Sequence, residues 1–273
     1  LEAAAHEQAL GHNLEIIVLD RPAPIGGTQV QGPVSDPGSE SYINYMPIPV
    51  RPGLTIGELA RYFNSERLVP TASNPNIQTH IKADLTVVQM ENWRRADYFD
   101  STRLPWTNPS PNLRTLDAAT LYPGLGFLDA TNVSVGRGTD RPFEQIGATY
   151  IDSAQLTAYL TARHIPGVSF APTSFKVEEN SNHYPGHGKT ISGISFTVTD
   201  RAALDSPELG IEVLSALHHL YPQFPLGKAA NLIANVETMQ GLTNNEDPRK
   251  IAASWSTVLA AYMQKREHYL LYR

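Results

Sequence analysis

The chain has no cysteine among its 273 residues. This absence excludes disulfide bonds and thiolate metal sites, and it leaves the redox compartment open. No apolar run reaches the roughly 18–20 residues that cross a bilayer, so no transmembrane segment is predicted. The formal net charge is −6 and there is no run of basic residues, which argues against a nucleic-acid partner because phosphate binding needs concentrated Lys and Arg.

The composition is that of a globular protein, with 41% hydrophobic and 18% charged residues. The 21 prolines stiffen loops of the kind that display binding groups, which favours an enzyme or a ligand-binding protein. His183 and His187 are four residues apart, but Pro185 and Gly186 between them forbid a helix. We therefore expect no metal site, and no other pattern indicates a cofactor.

The first half of the chain alternates predicted strands and helices. Residues 15–20 (EIIVLD) and 83–90 (ADLTVVQM) are short apolar runs typical of buried strands. Between them, Thr55 and Glu58 have the spacing of a capping box at the start of a helix. This alternation predicts an α/β fold with a largely parallel sheet.

The pattern continues with a short helix over 115–122, ended by Pro123, and a strand over 125–128. After residue 150 the predicted elements are a helix over 153–164, a strand over 191–200, a helix over 206–220 with Ser206 as its N-cap, and a final helix over 248–272. The segment 32–40 (GPVSDPGSE) is predicted to be a mobile loop. The chain opens on Leu1 within a predicted helix that has no capping residue, so we expect a further segment before it.

The densest group of polar residues lies in the segment 131–148 (TNVSVGRGTDRPFEQIGA), directly after the predicted strand 125–128. Its glycines permit tight turns, and the ends of strands in open α/β sheets are where ligands bind. Its candidate functional residues are Asn132, Arg137, Thr139, Asp140 and Glu144. An alternative interpretation stays open, in which this is a surface loop whose Arg and Asp side chains pair with each other.

Two further groups have the same character. The segment 104–112 (LPWTNPSPN) offers Trp106 as a flat face for a sugar ring and Asn108, Ser110 and Asn112 as hydroxyl partners. A rigid connector with a core Trp is the other interpretation. Asp20 and Arg21 stand at the tip of the first predicted strand, where they form either a ligand-binding pair or a structural salt bridge.

Six motifs in this order resemble one bacterial family. They are LDRPAPIGG, PIPVRPGLTIGELARYFN, LPWTNPSPN, TLYPG, TNVSVGRGTDRPFEQIGA and SGISFTVTDR. The family, long classed as a domain of unknown function, is that of the exo-β-N-acetylmuramidases.

The resemblance implies a Rossmann-like N-terminal domain, a smaller C-terminal α/β domain and an active-site cleft between them. We place the domains at residues 1–148 and 149–273, with the N-terminal part of the first domain missing. In relatives, a Ser-Pro-Glu-His-Gly motif lies upstream of the position of Leu1, and its Glu is the leading catalytic candidate.

The resemblance also implies hydrolysis of a terminal, non-reducing β-linked N-acetylmuramic acid from muropeptides or disaccharides of peptidoglycan. Glycosidases of most families use two carboxyl groups, and we assign the second to Glu144, with Asp140 behind it. Arg137 is expected to pair with the lactyl carboxylate of muramic acid. The implied location is periplasmic or secreted. A non-catalytic protein that binds muropeptides or glycans is the main alternative.

Overall fold

The computed structural model describes residues 1–70, 77–180 and 183–273. These residues form two compact units. Unit 1 contains Leu1–Val30, Pro52–Leu104 and Ala260–Arg273, and unit 2 contains Gln31–Arg51 and Pro105–Leu259. The chain therefore passes from one unit to the other more than once, and the boundary placed at residue 148 stays a prediction.

The strands are β1 (Glu15–Leu19), β2 (Gln31–Val34), β3 (Pro49–Arg51), β4 (Leu68–Pro70), β5 (Gln78–His80), β6 (Asp84–Val88), β7 (Gln145–Ala148), β8 (Val168–Lys176) and β9 (Thr190–Val198). The α-helices are α1 (Glu2–Ala9), α2 (Ile56–Glu66), α3 (Leu116–Leu125), α4 (Ser153–Ala162), α5 (Ser206–Leu220), α6 (Ala230–Ile233), α7 (Val236–Thr243), α8 (Pro248–Ser254) and α9 (Ser256–Arg266). Short 3-10 helices occupy Phe99–Thr102, Gly126–Leu128, Leu226–Ala229 and Glu267–Tyr269. Within the described ranges, no helix is both long enough and apolar enough to span a membrane.

Unit 1 is built on a parallel pair of strands. β1 and β6 run in register from Glu15 beside Asp84 to Leu19 beside Val88, and α2 packs against both. This confirms the predicted α/β class. The prediction that both strands are buried is wrong, since each alternates exposed and half-buried residues. In the part of the chain that the structure describes, parallel pairing between named strands is confined to these two, so the parallel sheet is smaller than the alternation of strands and helices predicts.

The predicted capping box at the start of α2 is confirmed. The Thr55 hydroxyl accepts from the Glu58 backbone N–H at 3.2 Å, and the Glu58 carboxylate accepts from the Thr55 N–H at 2.9 Å. Glu58 is fully buried and also forms an ion pair with Arg95. The Arg95 guanidinium donates in addition to the carbonyls of Gly27, Gly53 and Tyr272. A buried pair of this kind is tolerated because its remaining donors are satisfied.

Unit 2 is built on an antiparallel sheet in the order β7-β9-β8. α4 packs on β8 and β9, while α3 and α5 pack on each other. The core includes almost completely buried side chains of these elements and of the loop before β7: Leu121, Leu125, Phe143, Ile146, Leu156, Leu160, Ile194, Phe196, Leu209 and Leu214. Most of the predicted site residues lie in two loops. Residues 105–115 precede α3, and residues 131–144 precede β7.

Pro123 lies inside α3 and does not end it, so the predicted end of this helix is wrong. A proline removes one helical N–H donor and crowds the preceding turn. Here the Ser206 hydroxyl bonds two backbone groups that flank the proline, because it accepts from the Gly124 N–H at 3.2 Å and donates to the Leu121 carbonyl at 3.1 Å. The prediction that Ser206 is the N-cap of α5 is therefore wrong. The N-cap is Asp205, whose side chain accepts from the Glu208 N–H.

The strand predicted over 125–128 is also wrong. These residues form the end of α3 and the 3-10 helix Gly126–Leu128, and Leu125 and Leu128 are buried in the core. A short apolar run does not distinguish a strand from a buried helical turn. The polar segment after it therefore does not follow a strand. It precedes β7, so the argument from the carboxyl ends of strands does not apply to it.

Two smaller predictions need correction. The final helix predicted over 248–272 is divided into α8 and α9 at Trp255, whose indole N–H donates to the buried Thr238 hydroxyl at 2.9 Å. The segment 32–40 is not entirely a loop, since β2 extends to Val34 and pairs with β3.

The crossing of α3 over α5 leaves no room for a side chain at Gly124. A Cβ there would lie 1.8 Å from the Ser206 carbonyl oxygen. We expect Gly124→Ala to lower the free energy of unfolding by about 2 kcal/mol or more, since an overpacked contact outweighs the better helix propensity of Ala. Denaturant unfolding measures the change. Gly126→Ala is the control, because its Cβ meets the Tyr122 ring at 3.3 Å and no backbone atom; equal stability of the two variants would contradict the steric explanation.

Candidate functional site

The segment 131–144 is an ordered loop that folds back on itself. Gly136 and Gly138 both adopt a φ of 76°, and a Cβ on Gly136 would lie 2.7 Å from the Arg141 carbonyl oxygen. The predicted need for glycine is therefore confirmed at Gly136. Backbone bonds from Phe143 N–H to the Val135 carbonyl at 2.7 Å, and from Ser134 N–H to the Gly147 carbonyl at 2.8 Å, close the loop.

Thr139 is buried in this loop and its hydroxyl is fully engaged. The hydroxyl donates to the Gly136 carbonyl at 2.6 Å and accepts from the Gln145 side-chain amide at 3.0 Å and from the Arg141 N–H at 3.1 Å. The structure thus places Thr139 where it holds the loop together.

A second loop, 105–115, is bonded to the first. The Arg114 guanidinium donates to the Thr139 carbonyl at 3.1 Å, and the Thr115 hydroxyl donates to Glu144 Oε1 at 2.5 Å. Thr115 is also the N-cap of α3, so the start of this helix determines where the Glu144 carboxylate lies. We refer to the loops 105–115 and 131–144 together as the loop pair.

Of the two predicted carboxylates, Glu144 is the one that neighbouring side chains hold. Its side chain is 15% exposed, and its second oxygen lies 3.4 Å from the Arg141 guanidinium. Asp140 is exposed, and its side chain has no hydrogen-bond or ion-pair partner among the described residues. The loop pair therefore carries one carboxylate that is held in place and one that is free.

Arg137 is paired within the protein. Its Nε donates to Asp129 Oδ1 at 2.9 Å and its Nη2 donates to Asp129 Oδ2, while its guanidinium lies 5.2 Å from the Phe143 ring centroid. Burial by itself would lower the pKa of this guanidinium, but the hydrogen bonds that it donates to Asp129, and the charge of that carboxylate, raise the pKa above its ordinary value. The edge that was predicted to receive a substrate carboxylate is thus already occupied. Asp129, eight residues away, gives no local sequence signal for this pairing.

Asn132 is also used internally. Its amide donates to the Gln223 carbonyl at 3.1 Å, and its side-chain oxygen accepts from the Tyr150 hydroxyl at 2.6 Å. Burial raises the pKa of Tyr150 to about 12, so the phenol remains a donor at neutral pH. Asn132 therefore links the start of the loop to its surroundings.

The loop 105–115 retains more free polar groups. The Trp106 indole is half-buried and its N–H donates to the Leu113 carbonyl at 3.3 Å. The side chains of Asn108, Ser110 and Asn112 form no hydrogen bond with the described part of the chain, and Asn108 is exposed. These three residues and Asp140 are the predicted site residues of unit 2 that have polar side-chain groups without internal partners.

Asp20 and Arg21 belong to unit 1, and they are not paired with each other through their side chains. The Asp20 carboxylate accepts from the Gly57 N–H at 2.9 Å, the Thr55 hydroxyl at 2.7 Å and the Tyr272 hydroxyl at 2.7 Å. Asp20 therefore fixes the start of α2. The Arg21 side chain is exposed and forms no such bond within the described residues.

Two family models together match almost the whole chain. Residues 2–117 match the N-terminal model of exo-beta-N-acetylmuramidase NamZ, and residues 120–272 match its C-terminal model. The chain belongs to the exo-β-N-acetylmuramidase NamZ family. The resemblance indicated by the six sequence motifs is thereby confirmed.

The chain spans about two thirds of the length of the proteins to which it is similar. A peptidoglycan beta-N-acetylmuramidase NamZ of Bacillus subtilis (strain 168) is 37% identical over 274 residues, which cover 99% of this chain and 62% of that protein. Crystal structures of two DUF1343 family proteins from Bacteroides fragilis superpose with TM-scores of 0.83 and 0.71, at 27% and 26% identity. Both comparisons cover all of this chain, and 68% and 69% of the two solved chains.

Asp129 is paired with Arg137, whereas Asp140 has no side-chain partner among the described residues. Substituting the two aspartates should therefore change the free energy of unfolding by different amounts. We expect Asp129→Asn to lower the free energy of unfolding by about 2 kcal/mol, because it leaves the half-buried Arg137 without its charged acceptor. Asp140→Asn is the matched control and should change the free energy by less than about 0.5 kcal/mol. Denaturant titrations of both variants provide the measurement, and a loss of stability confined to Asp140→Asn would be inconsistent with the geometry.

Proposed function

We propose that this chain is the part of a glycoside hydrolase that helps to release terminal, non-reducing β-linked N-acetylmuramic acid from peptidoglycan fragments. Membership in the NamZ family and the activity named for the Bacillus subtilis relative support this proposal. A periplasmic or secreted location belongs to the proposal, because peptidoglycan lies outside the cytoplasmic membrane. The parallel strands β1 and β6 with α2 packed on them are compatible with a Rossmann-like first domain.

The observation that carries the proposal is the loop pair. It places the carboxylate of Glu144 and that of Asp140 on one loop, and bonds this loop to a second one that carries the free groups of Asn108 and Asn112. Carboxylates serve glycosidases as acid, base or nucleophile, and amides recognise sugar hydroxyl groups.

Glu144 remains the first candidate for the carboxyl group of this chain. Catalytic groups need side chains whose orientation is held by neighbours, and Thr115 and Arg141 hold Glu144 in this way. Both its oxygens accept hydrogen bonds, which suits a base or nucleophile, since a general acid presents a proton to the leaving group. Asp140 is the second candidate.

The role of binding the lactyl carboxylate passes from Arg137 to Arg141. Asp129 occupies the Nε–Nη2 edge of Arg137. The Arg141 side chain is 47% exposed, and its Nε and Nη2 contact Glu144 Oε2 only at 3.4 Å, which leaves Nη1 without a partner among the described residues. A guanidinium with free donors can form the two parallel bonds that a carboxylate accepts. We assign this recognition to Arg141, next to the carboxylate proposed to act on the bond.

The proposal is tested with a chromogenic β-linked N-acetylmuramide and the longest native protein that includes this chain. We expect Glu144→Gln to lower kcat by about 100-fold or more, the usual range for loss of an acid–base group. Glu246→Gln removes a carboxylate of unit 2 that pairs with Lys250 and is the matched control for the loss of one negative charge.

The outcomes separate the interpretations. Near wild-type turnover of Glu144→Gln removes Glu144 from the chemistry, and a loss confined to Asp140→Asn transfers the role to Asp140. Saturable binding of muropeptides without any hydrolysis by the unaltered protein identifies a binding protein instead of an enzyme. Unfolding curves of each variant show whether a lost activity reflects a lost fold.

A further inference from the structure

A second cavity of unit 2 lies outside the loop pair. It has a volume of about 960 Å³ and is bounded by residues 36–43 on one side and by α6, α7 and the turn between them on the other. We call it the Tyr42 groove. None of the residues that line this groove belongs to the loop pair.

The two walls of the groove are bonded to each other. The Asp36 carboxylate accepts from the Val236 N–H at 2.7 Å and from the Asn235 amide at 3.3 Å, and the Asp36 N–H donates to the Ala234 carbonyl at 2.8 Å. Asn235 also donates to the Val34 carbonyl at 3.0 Å. These bonds tie residues 34–36 to the start of α7, so the groove is a built feature of the fold.

The groove exposes an unusual amount of apolar side chain. Tyr42 is fully exposed, Ile43 is 66% exposed and Val236 is 60% exposed. Single exposed apolar residues are ordinary, but several around one cavity mark a binding surface. The phenol ring of Tyr42 offers a flat face with a polar edge, which is the form of side chain that combines apolar contact with hydrogen bonding.

The polar lining of the groove is either uncharged or acidic. The groove is lined by no Lys, Arg or His from the described residues, and its acidic groups Asp36 and Glu40 accept bonds from Val236 and Gly38 backbone N–H groups. The side-chain amides of Asn231, Gln240 and Asn244 line it and have no hydrogen bond with the described chain. Free amides beside an aromatic face suit a neutral ligand rich in hydroxyl and amide groups, and an anion would find no counter-charge there.

The groove is also next to the cavity that contains Arg137. That cavity has a volume of about 270 Å³ and is lined by Asp129, Arg137 and Leu232. Asn231 lines the Tyr42 groove, and Leu232 follows it directly in α6. The one-turn helix α6 and the Arg137 cavity therefore lie between the Tyr42 groove and residues 133–137 of the loop pair.

We infer that the Tyr42 groove binds an uncharged N-acetylated sugar on the leaving-group side of the bond, an inference that rests on the proposed function. The Tyr42 ring stacks on the sugar, Val236 and Ile43 contact its acetamido methyl group, and the free amides bond its hydroxyl groups. The charged, carboxylate-bearing sugar lies at the loop pair, where Arg141 is exposed. The groove thereby makes the protein more efficient on glycan fragments than on a single muramide.

The first test measures binding without catalysis. The 273-residue chain is titrated with N,N′,N″-triacetylchitotriose, a neutral N-acetylated oligosaccharide, and NMR shift changes give the Kd. We expect Tyr42→Ala to weaken binding about tenfold, which corresponds to about 1.4 kcal/mol, while Tyr42→Phe stays within about twofold because it retains the ring. We also expect Val236→Ser to weaken binding, because it removes an apolar contact of the groove. Val258→Ser is its control, since Val258 is an exposed helical valine that does not line the groove. Absence of binding by the unaltered chain, or equal binding by Tyr42→Ala, overturns the inference.

The second test uses the longest native protein that includes the chain. It compares kcat/KM for a muramic acid–glucosamine disaccharide with that for the chromogenic muramide. We expect the ratio of the two to fall about tenfold in Tyr42→Ala and to hold in Val258→Ser. Hydrolysis with an unchanged ratio overturns the groove assignment and leaves the proposed function standing. Chitotriose binding that depends on Tyr42, without hydrolysis of either substrate, supports the groove and overturns the enzyme assignment.

Discussion

The close crossing of α3 over α5 is the constraint on which the candidate site depends. Gly124 brings the α3 backbone against that of Ser206, and the Ser206 hydroxyl bonds backbone groups on both sides of Pro123. The helix can therefore continue through a proline that would end it in isolation. At the N-terminal end of the same helix, the hydroxyl of the N-cap Thr115 donates to the Glu144 carboxylate. The position of a proposed catalytic carboxylate thus follows in part from helix packing at the far end of α3.

The polar residues of the loop pair divide into those that build it and those that remain available. Thr139, Asn132 and Arg137 have their main donors or acceptors taken up by neighbours in the same unit. Such engagement is the expected state of half-buried polar groups, because an unpaired one is costly. Binding capacity remains with the exposed side chains, which are Asp140, Arg141 and the amides of 105–115. A dense polar motif is therefore mainly a scaffold, and its few free groups carry the proposed recognition.

Local patterns predicted the regular elements well. The capping box at Thr55, the strands β1 and β6 and the helix α5 follow from signals within a few residues of each other. The apolar run 125–128 was misread because its burial comes from α5 and the core, which lie far away in sequence. The N-cap of α5 was misplaced by one residue because two adjacent polar residues both fit a cap. The Ser206 hydroxyl bonds the backbone of α3 instead.

By itself the sequence determined the family, the α/β class, the glycines of the 131–144 loop and the set of residue types from which the proposed sugar site is built. These depend on local backbone preference and on the order of motifs, both of which are written along the chain. Only the tertiary structure decided which polar groups are free, that Asp129 occupies Arg137 and that Tyr42 and Val236 line one groove. The reason is that hydrogen-bond partners and exposure depend on residues brought together from distant segments, and no spacing along the chain records those encounters.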